Sequence, residues 1–137
     1  MHLYYAFDNA EIWGEVDSLL GYVGLRHGDS VIEEHDVFLD SWIAALMQGL
    51  TAAEEGRWGP VEIWEETQPL VFEPADEGFR ISYGNDSVTI PSTDELRKVL
   101  TDTGNTFYED ADGKVAIREN DPLDVIRRFL KLPWYRW

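Results

Sequence analysis

Cysteine is absent from this 137-residue chain, which excludes a disulfide framework, a thiol nucleophile and any cysteine-ligated metal, and which suits a reducing compartment. No apolar run comes near the roughly 18 residues that a membrane span needs. Asp8, Glu11, Glu15 and Asp17 interrupt the first twenty residues, which also lack the basic segment that opens a secretory signal. A cytoplasmic protein is therefore expected. The common catalytic motifs are missing as well: there is no P-loop, no GxGxxG, no HExxH and no GxSxG. Basic residues are scarce and unevenly placed. Residues 1–96 hold only Arg26, Arg57 and Arg80 against 20 Asp and Glu, a net −17, whereas residues 97–137 hold 8 bases against 7 acids.

What is present is acid and aromatic together. The net charge of −16 repels nucleic acid and anionic membrane and attracts basic partners. Acidity also keeps proteins soluble, as in halophiles, so charge alone does not decide function. The 44% of hydrophobic residues excludes a disordered acidic tail. A chain of this length can bury a core by itself, and one domain spanning 1–137 is expected.

The segment Leu3-Tyr4-Tyr5-Ala6-Phe7 has the aromatic content of a strand. Residues 9–36 carry little pattern: Ser18 to Leu25 fits a strand or a short helix, and its glycines weaken both. From Phe38 the spacing of Leu39, Trp42, Ile43, Leu46, Met47 and Leu50 predicts a helix, with Asp36 or Asp40 as N-cap and Gly56 as its stop. Four strand-like segments follow at Val61–Glu66, Leu70–Pro74, Phe79–Tyr83 and Ser87–Ile90. Gln68-Pro69, Asp76-Glu77-Gly78 and Gly84-Asn85-Asp86 separate them as turns. Ser92-Thr93-Asp94-Glu95 is a capping box opening a second helix, which Gly104-Asn105 ends or bends. Asp121-Pro122 places an N-cap and a proline at N1 of a third helix, running from Leu123 to about Leu130. The expected fold is α+β: an antiparallel meander of about four strands plus the N-terminal strand, packed with two to three helices.

Three chemical readings are weighed against plainer ones. His27, Asp29, Glu33 and His35 gather metal-ligand types, but a chain this acidic sets carboxylates beside histidines by composition alone, and a solvated acidic loop is expected. Asp110, Asp112 and Glu119 around Gly113 match three positions of a calcium loop, yet its first ligand position falls on Tyr108. A plain Asp-Gly turn is favoured there, and no metal or cofactor is expected. Paired carboxylates among six tryptophans keep a glycosidase-type enzyme open as an alternative, although nothing singles out a pair. No catalytic residue is assigned. The ending Leu130-Lys131-Leu132-Pro133-Trp134-Tyr135-Arg136-Trp137 is expected to lay its rings on the domain's own surface, with Lys131 and Arg136 facing the acidic body, rather than to form a partner element.

The segment Val61-Glu62-Ile63-Trp64-Glu65-Glu66 bears most directly on function. Read as a strand, it puts Val61 and Ile63 on one face and Glu62, Trp64 and Glu66 on the other. A tryptophan flanked by glutamates suits docking of a basic surface, the ring supplying binding energy and the acids on-rate. An edge strand guarded by charge is the plainer alternative. Taken with the Asp40-Ser41-Trp42 helix, the meander and the Ser92-Thr93-Asp94-Glu95 helix start, residues 36–110 resemble the small acidic immunity proteins of bacterial polymorphic or contact-dependent toxin systems. That resemblance implies tight inhibition of a cognate toxin, often a basic nuclease, and carries over no residue by position. The expected partner-binding residues are Glu62, Trp64, Glu65, Glu66, Glu73, Asp76 and Glu77. The expected partner is a basic protein met by a monomer or homodimer. A nucleic-acid mimic directed at a host defence protein is the alternative of the same charge.

Overall fold

A computed structural model of the chain describes residues 1–7, 19–111 and 121–133. Two antiparallel sheets and three helices make an α+β fold. The first sheet holds β1 (His2–Phe7), β2 (Leu20–His27) and β3 (Ser30–Phe38) in that order. Helix α1 (Leu39–Glu54) continues directly from β3. The second sheet is a meander of β4 (Gly59–Val61), β5 (Leu70–Pro74), β6 (Phe79–Tyr83) and β7 (Asp86–Ile90). Helices α2 (Thr93–Ala111) and α3 (Pro122–Phe129) complete the described residues.

The N-terminal strand therefore joins a sheet of its own instead of extending the meander. Its partners are β2 and β3, from the stretch whose sequence carries least pattern. The region around His27 and His35, expected to be an acidic loop, is a β-hairpin turning at Gly28-Asp29. Between the pairs Gly21↔Val37 and Val23↔Glu34, Tyr22 stands opposite two residues of β3, His35 and Asp36. Asp36 in this bulge is left-handed, with φ 58°, a conformation that Asp tolerates better than most residues.

Helix α1 is apolar nearly all round, because it is enclosed nearly all round. Leu39, Trp42, Ile43, Leu46, Met47 and Leu50 are all buried, and the helix touches both sheets and both other helices. Its N-cap is Phe38, with no side-chain bond, so neither Asp36 nor Asp40 caps it as expected. The Leu39 N–H instead donates to the Leu19 carbonyl at 2.8 Å, satisfying one orphan group from the start of β2. The meander shows the period of two that one buried face requires: Phe72, Ile81 and Val88 form one inward row, and Phe79 and Ile90 pair in the next. These residues join those of β1–β3 and the helices in one apolar cluster. Each fully buried Leu, Ile or Phe contributes about 1.5–3 kcal/mol.

The predicted caps of the other helices are present. Ser92 Oγ accepts from the Glu95 N–H at 3.2 Å, and Asp121 accepts from the Asp124 N–H at 2.9 Å ahead of Pro122. Gly104-Asn105 does not stop α2, because Gly104 belongs to the buried stripe Leu96, Leu100, Gly104, Phe107. Asp110 and Ala111 belong to α2, and Asp110 accepts from the Tyr5 hydroxyl. Asp112, Gly113, Glu119 and Trp134–Trp137 lie outside the described residues. Among the described residues, no helix is long and apolar enough to cross a membrane, and no three His, Asp or Glu side chains gather to hold a metal ion.

Candidate functional site

Strand β4 ends at Val61, so most of VEIWEE is not a strand. Residues 63–66 form a turn: the Glu66 N–H donates to the Ile63 carbonyl at 3.1 Å, and Glu65 adopts φ 69°. The physical reason is the edge position. Among the described residues no further strand supplies bonds beyond β4, and the chain must reverse to enter β5. The inward direction of Ile63 survives, at 3% exposure, and Val61 is half-buried. Glu62 and Glu65 are exposed as expected, whereas Trp64 is half-buried and packs against the core cluster.

The expected site residues do not form one patch. Glu62, Trp64, Glu65 and Glu66 precede β5, while Asp76 and Glu77 follow it in the exposed β5–β6 turn. Five strand residues at about 3.3 Å each hold the two groups on the order of 15 Å apart. Glu73 lies between them on the outer face of β5, where the cross-strand Arg80 Nε donates to it at 2.9 Å. That carboxylate is already paired.

A different set converges at the Trp64 end. Gly84-Asn85 turns β6 into β7, with Gly84 at φ 58°, and so sets Tyr83 opposite Asp86. The Tyr83 hydroxyl donates to Glu66 Oε2 at 3.3 Å. Beneath Tyr83 lies buried Trp42 of α1, edge-on with ring centroids 4.7 Å apart. Strand β3 runs beside β7 and brings Glu34 to the same place. Burial pushes the Glu34 carboxyl above its usual range, and the charges of Asp86 and Glu66 push it further, while His35 acts in the opposite sense. Burial likewise raises the Tyr83 hydroxyl, with Glu66 and Glu34 adding to it. Glu66 and Glu34 thus act on the half-buried Tyr83, Asp86 and Glu66 act on Glu34, and no Lys or Arg of the described residues acts on either group.

A second polar surface covers the outer face of the three-stranded sheet. His2 stacks on Tyr4, Tyr4 meets Tyr22 edge-on, and Tyr22 stacks on His35. Tyr4 lies so close over Gly24 that a Cβ there would come within 2.2 Å of its ring. Its hydroxyl reaches across to Glu33 at 2.6 Å, and that bond, followed by His35, holds the Glu33 carboxyl below its ordinary value. Here the acid is already satisfied.

Glu34, Tyr83, Asp86 and Trp42 were not among the expected site residues. Half of the signal is present in the sequence, since the Gly84-Asn85 turn places Tyr83 opposite Asp86; the Glu34 half required β3. Comparison with protein-family models, with curated proteins and with solved structures matches this chain to none of them.

Proposed function

We propose that this chain is a non-enzymatic inhibitor of a basic protein, working as the acidic immunity proteins it resembles do, and that Glu34, Glu66 and Asp86 around Tyr83 receive a lysine or arginine of that partner. The observation that carries the reading is that Glu66 and Glu34 act on a half-buried Tyr83 while Asp86 and Glu66 act on Glu34, with no Lys or Arg of the described residues acting on either. An incoming guanidinium relieves the repulsion that raises Glu34 and stacks on the Tyr83 ring, so its binding is favoured over that of a neutral side chain. Trp64 beside it offers the large, partly desolvated ring typical of a hot spot. The surrounding negative field speeds encounter. A basic nuclease is the toxin class that this surface suits best, because the face it uses for nucleic acid is cationic.

Glu34 also favours a second reading, since a carboxyl held above its ordinary value is what acid–base catalysis uses. That reading needs a substrate cleft at Glu34, whereas two grooves of about 460 Å³ among the described residues open elsewhere, between α1 and α3 and between β1 and α2. Inhibition is therefore the better supported. The test is to express the product of the reading frame adjacent to this chain's gene, with and without the chain. Growth arrest by the neighbour, rescue by the wild-type chain and loss of rescue with Glu34→Lys/Glu66→Lys are expected. A harmless neighbour, or rescue undiminished by the double substitution, counts against the proposal.

A further inference from the structure

On the other side of α1 lies a cleft of about 460 Å³ between that helix and α3, within the range of small-molecule sites. Met47 and Ala52 of α1 and Val125 and Phe129 of α3 give it apolar walls, and Arg57 and Arg128 add two guanidiniums. The walls are fixed in place. Arg97 binds Glu54 with two hydrogen bonds and sets its guanidinium 4.8 Å from the centre of the Phe129 ring. The Arg57 N–H closes onto the Ala52 carbonyl at 2.8 Å, which anchors that residue at the end of α1.

Each of the two cleft arginines has an acidic neighbour, and neither pairing is closed to solvent on the arginine side. Asp124 is a single carboxylate shared by Arg127, at 2.7 Å, and Arg128, at 3.4 Å. Arg57 donates to both carboxylate oxygens of Glu55, at 2.9 and 3.0 Å, and both side chains are well exposed, at 66% and 52%. An exposed pair of this kind is weak and exchanges readily for another anion. The −17 of residues 1–96 opposes anions at long range, but charges beyond about 8 Å are largely screened at physiological salt.

We propose that this cleft binds a small carboxylate with a hydrocarbon body, its headgroup at Arg57 and Arg128 and its chain against Met47, Val125 and Phe129. A planar guanidinium fork recognises a carboxylate directly, and the apolar walls reward a hydrocarbon that a bare anion lacks. The site is independent of the carboxylate cluster at Tyr83.

The experiment titrates octanoate, octanamide and acetate into the isotope-labelled full chain and follows its backbone amides. Octanoate should produce saturable shifts at Thr51, Ala52, Val125 and Phe129, with octanamide and acetate each weaker by at least about tenfold, since each lacks one of the two contributions. Arg57→Gln/Arg128→Gln, at positions 66% and 54% exposed, should lose about tenfold in octanoate affinity without a change in melting temperature. Ala52→Phe should fill the cleft and abolish binding while leaving both charges. Equal binding of octanoate and octanamide, shifts located elsewhere or absent, or unchanged affinity in either variant overturns the proposal.

Discussion

Two buried glycines sit mid-helix, and replacing each by alanine should have opposite consequences. Alanine is favoured over glycine in a helix by up to about 1 kcal/mol, partly through the unfolded chain. At Gly49 of α1 the added Cβ would lie 2.1 Å from the Phe72 ring, with two further ring atoms at 2.2 and 2.6 Å. Carbon atoms pack at about 3.5–4.0 Å, so helix and ring must separate by roughly 1.5 Å. Phe72 cannot yield, being 1% exposed and stacked on Phe79 in the closed interior. Overpacking costs about 1–3 kcal/mol, which outweighs the helical gain. Gly49→Ala should therefore destabilise by about 1–2 kcal/mol, a fall of several degrees in melting temperature for a chain of this size. At Gly104 of α2 the nearest atom is the terminal methyl of Met47 at 2.7 Å, and an unbranched thioether can swing aside. Gly104→Ala should be neutral or stabilising by up to about 1 kcal/mol. Urea and thermal unfolding of both variants provide the measurement. A Gly49→Ala chain as stable as the parent would refute the close approach of α1 to β5.

Trp64→Ala should weaken partner binding by about 2 kcal/mol or more and cost less stability than the roughly 3–5 kcal/mol of a fully buried aromatic. Large destabilisation with normal binding by the folded fraction would make Trp64 a core residue only. Because the Glu34 carboxyl is raised in the folded state, its ionisation opposes folding, and the penalty grows as pH climbs from the ordinary value of 4.5 through the raised one. Glu34→Gln should thus gain stability over the parent across that window and match it below; urea midpoints against pH that stay parallel contradict this. Asp121→Ala should cost about 1 kcal/mol through the lost N-cap of α3, and an unchanged urea midpoint would show that the Asp121–Asp124 bond is not made. Chelator should leave thermal unfolding unchanged, whereas a drop reversed by zinc or calcium would reveal a structural ion.

Legibility followed local pattern. Helix α1, strands β5–β7 and the starts of α2 and α3 each carry a strict period or a side-chain cap, and all appear within a residue or two of their expected bounds. The β2–β3 hairpin was illegible because its bulge at His35-Asp36 breaks the alternation and its glycines serve close approach of Tyr4 and of the Ala6 backbone. VEIWEE misled in a different way. Its alternation is real for Val61 and Ile63, but an unpartnered edge lets the chain turn at Glu65. The candidate site inherits both limits. Glu66 belongs to the proposed cluster at Tyr83 and Trp64 is half-buried two residues before it, whereas Asp76 and Glu77 occupy the far end of β5 and Glu34 arrives from the unread strand.

The most direct test of the central claim is the association rate of the chain with its basic partner, measured from low to high salt for the wild type and for Glu34→Gln/Glu66→Gln. Seating of a partner cation among these carboxylates predicts a wild-type on-rate that falls several-fold with salt. The double variant should show a shallower salt dependence and faster dissociation, because the seated cation loses its partners. An on-rate indifferent to salt, or a double variant that associates and dissociates as the wild type does, would contradict the account.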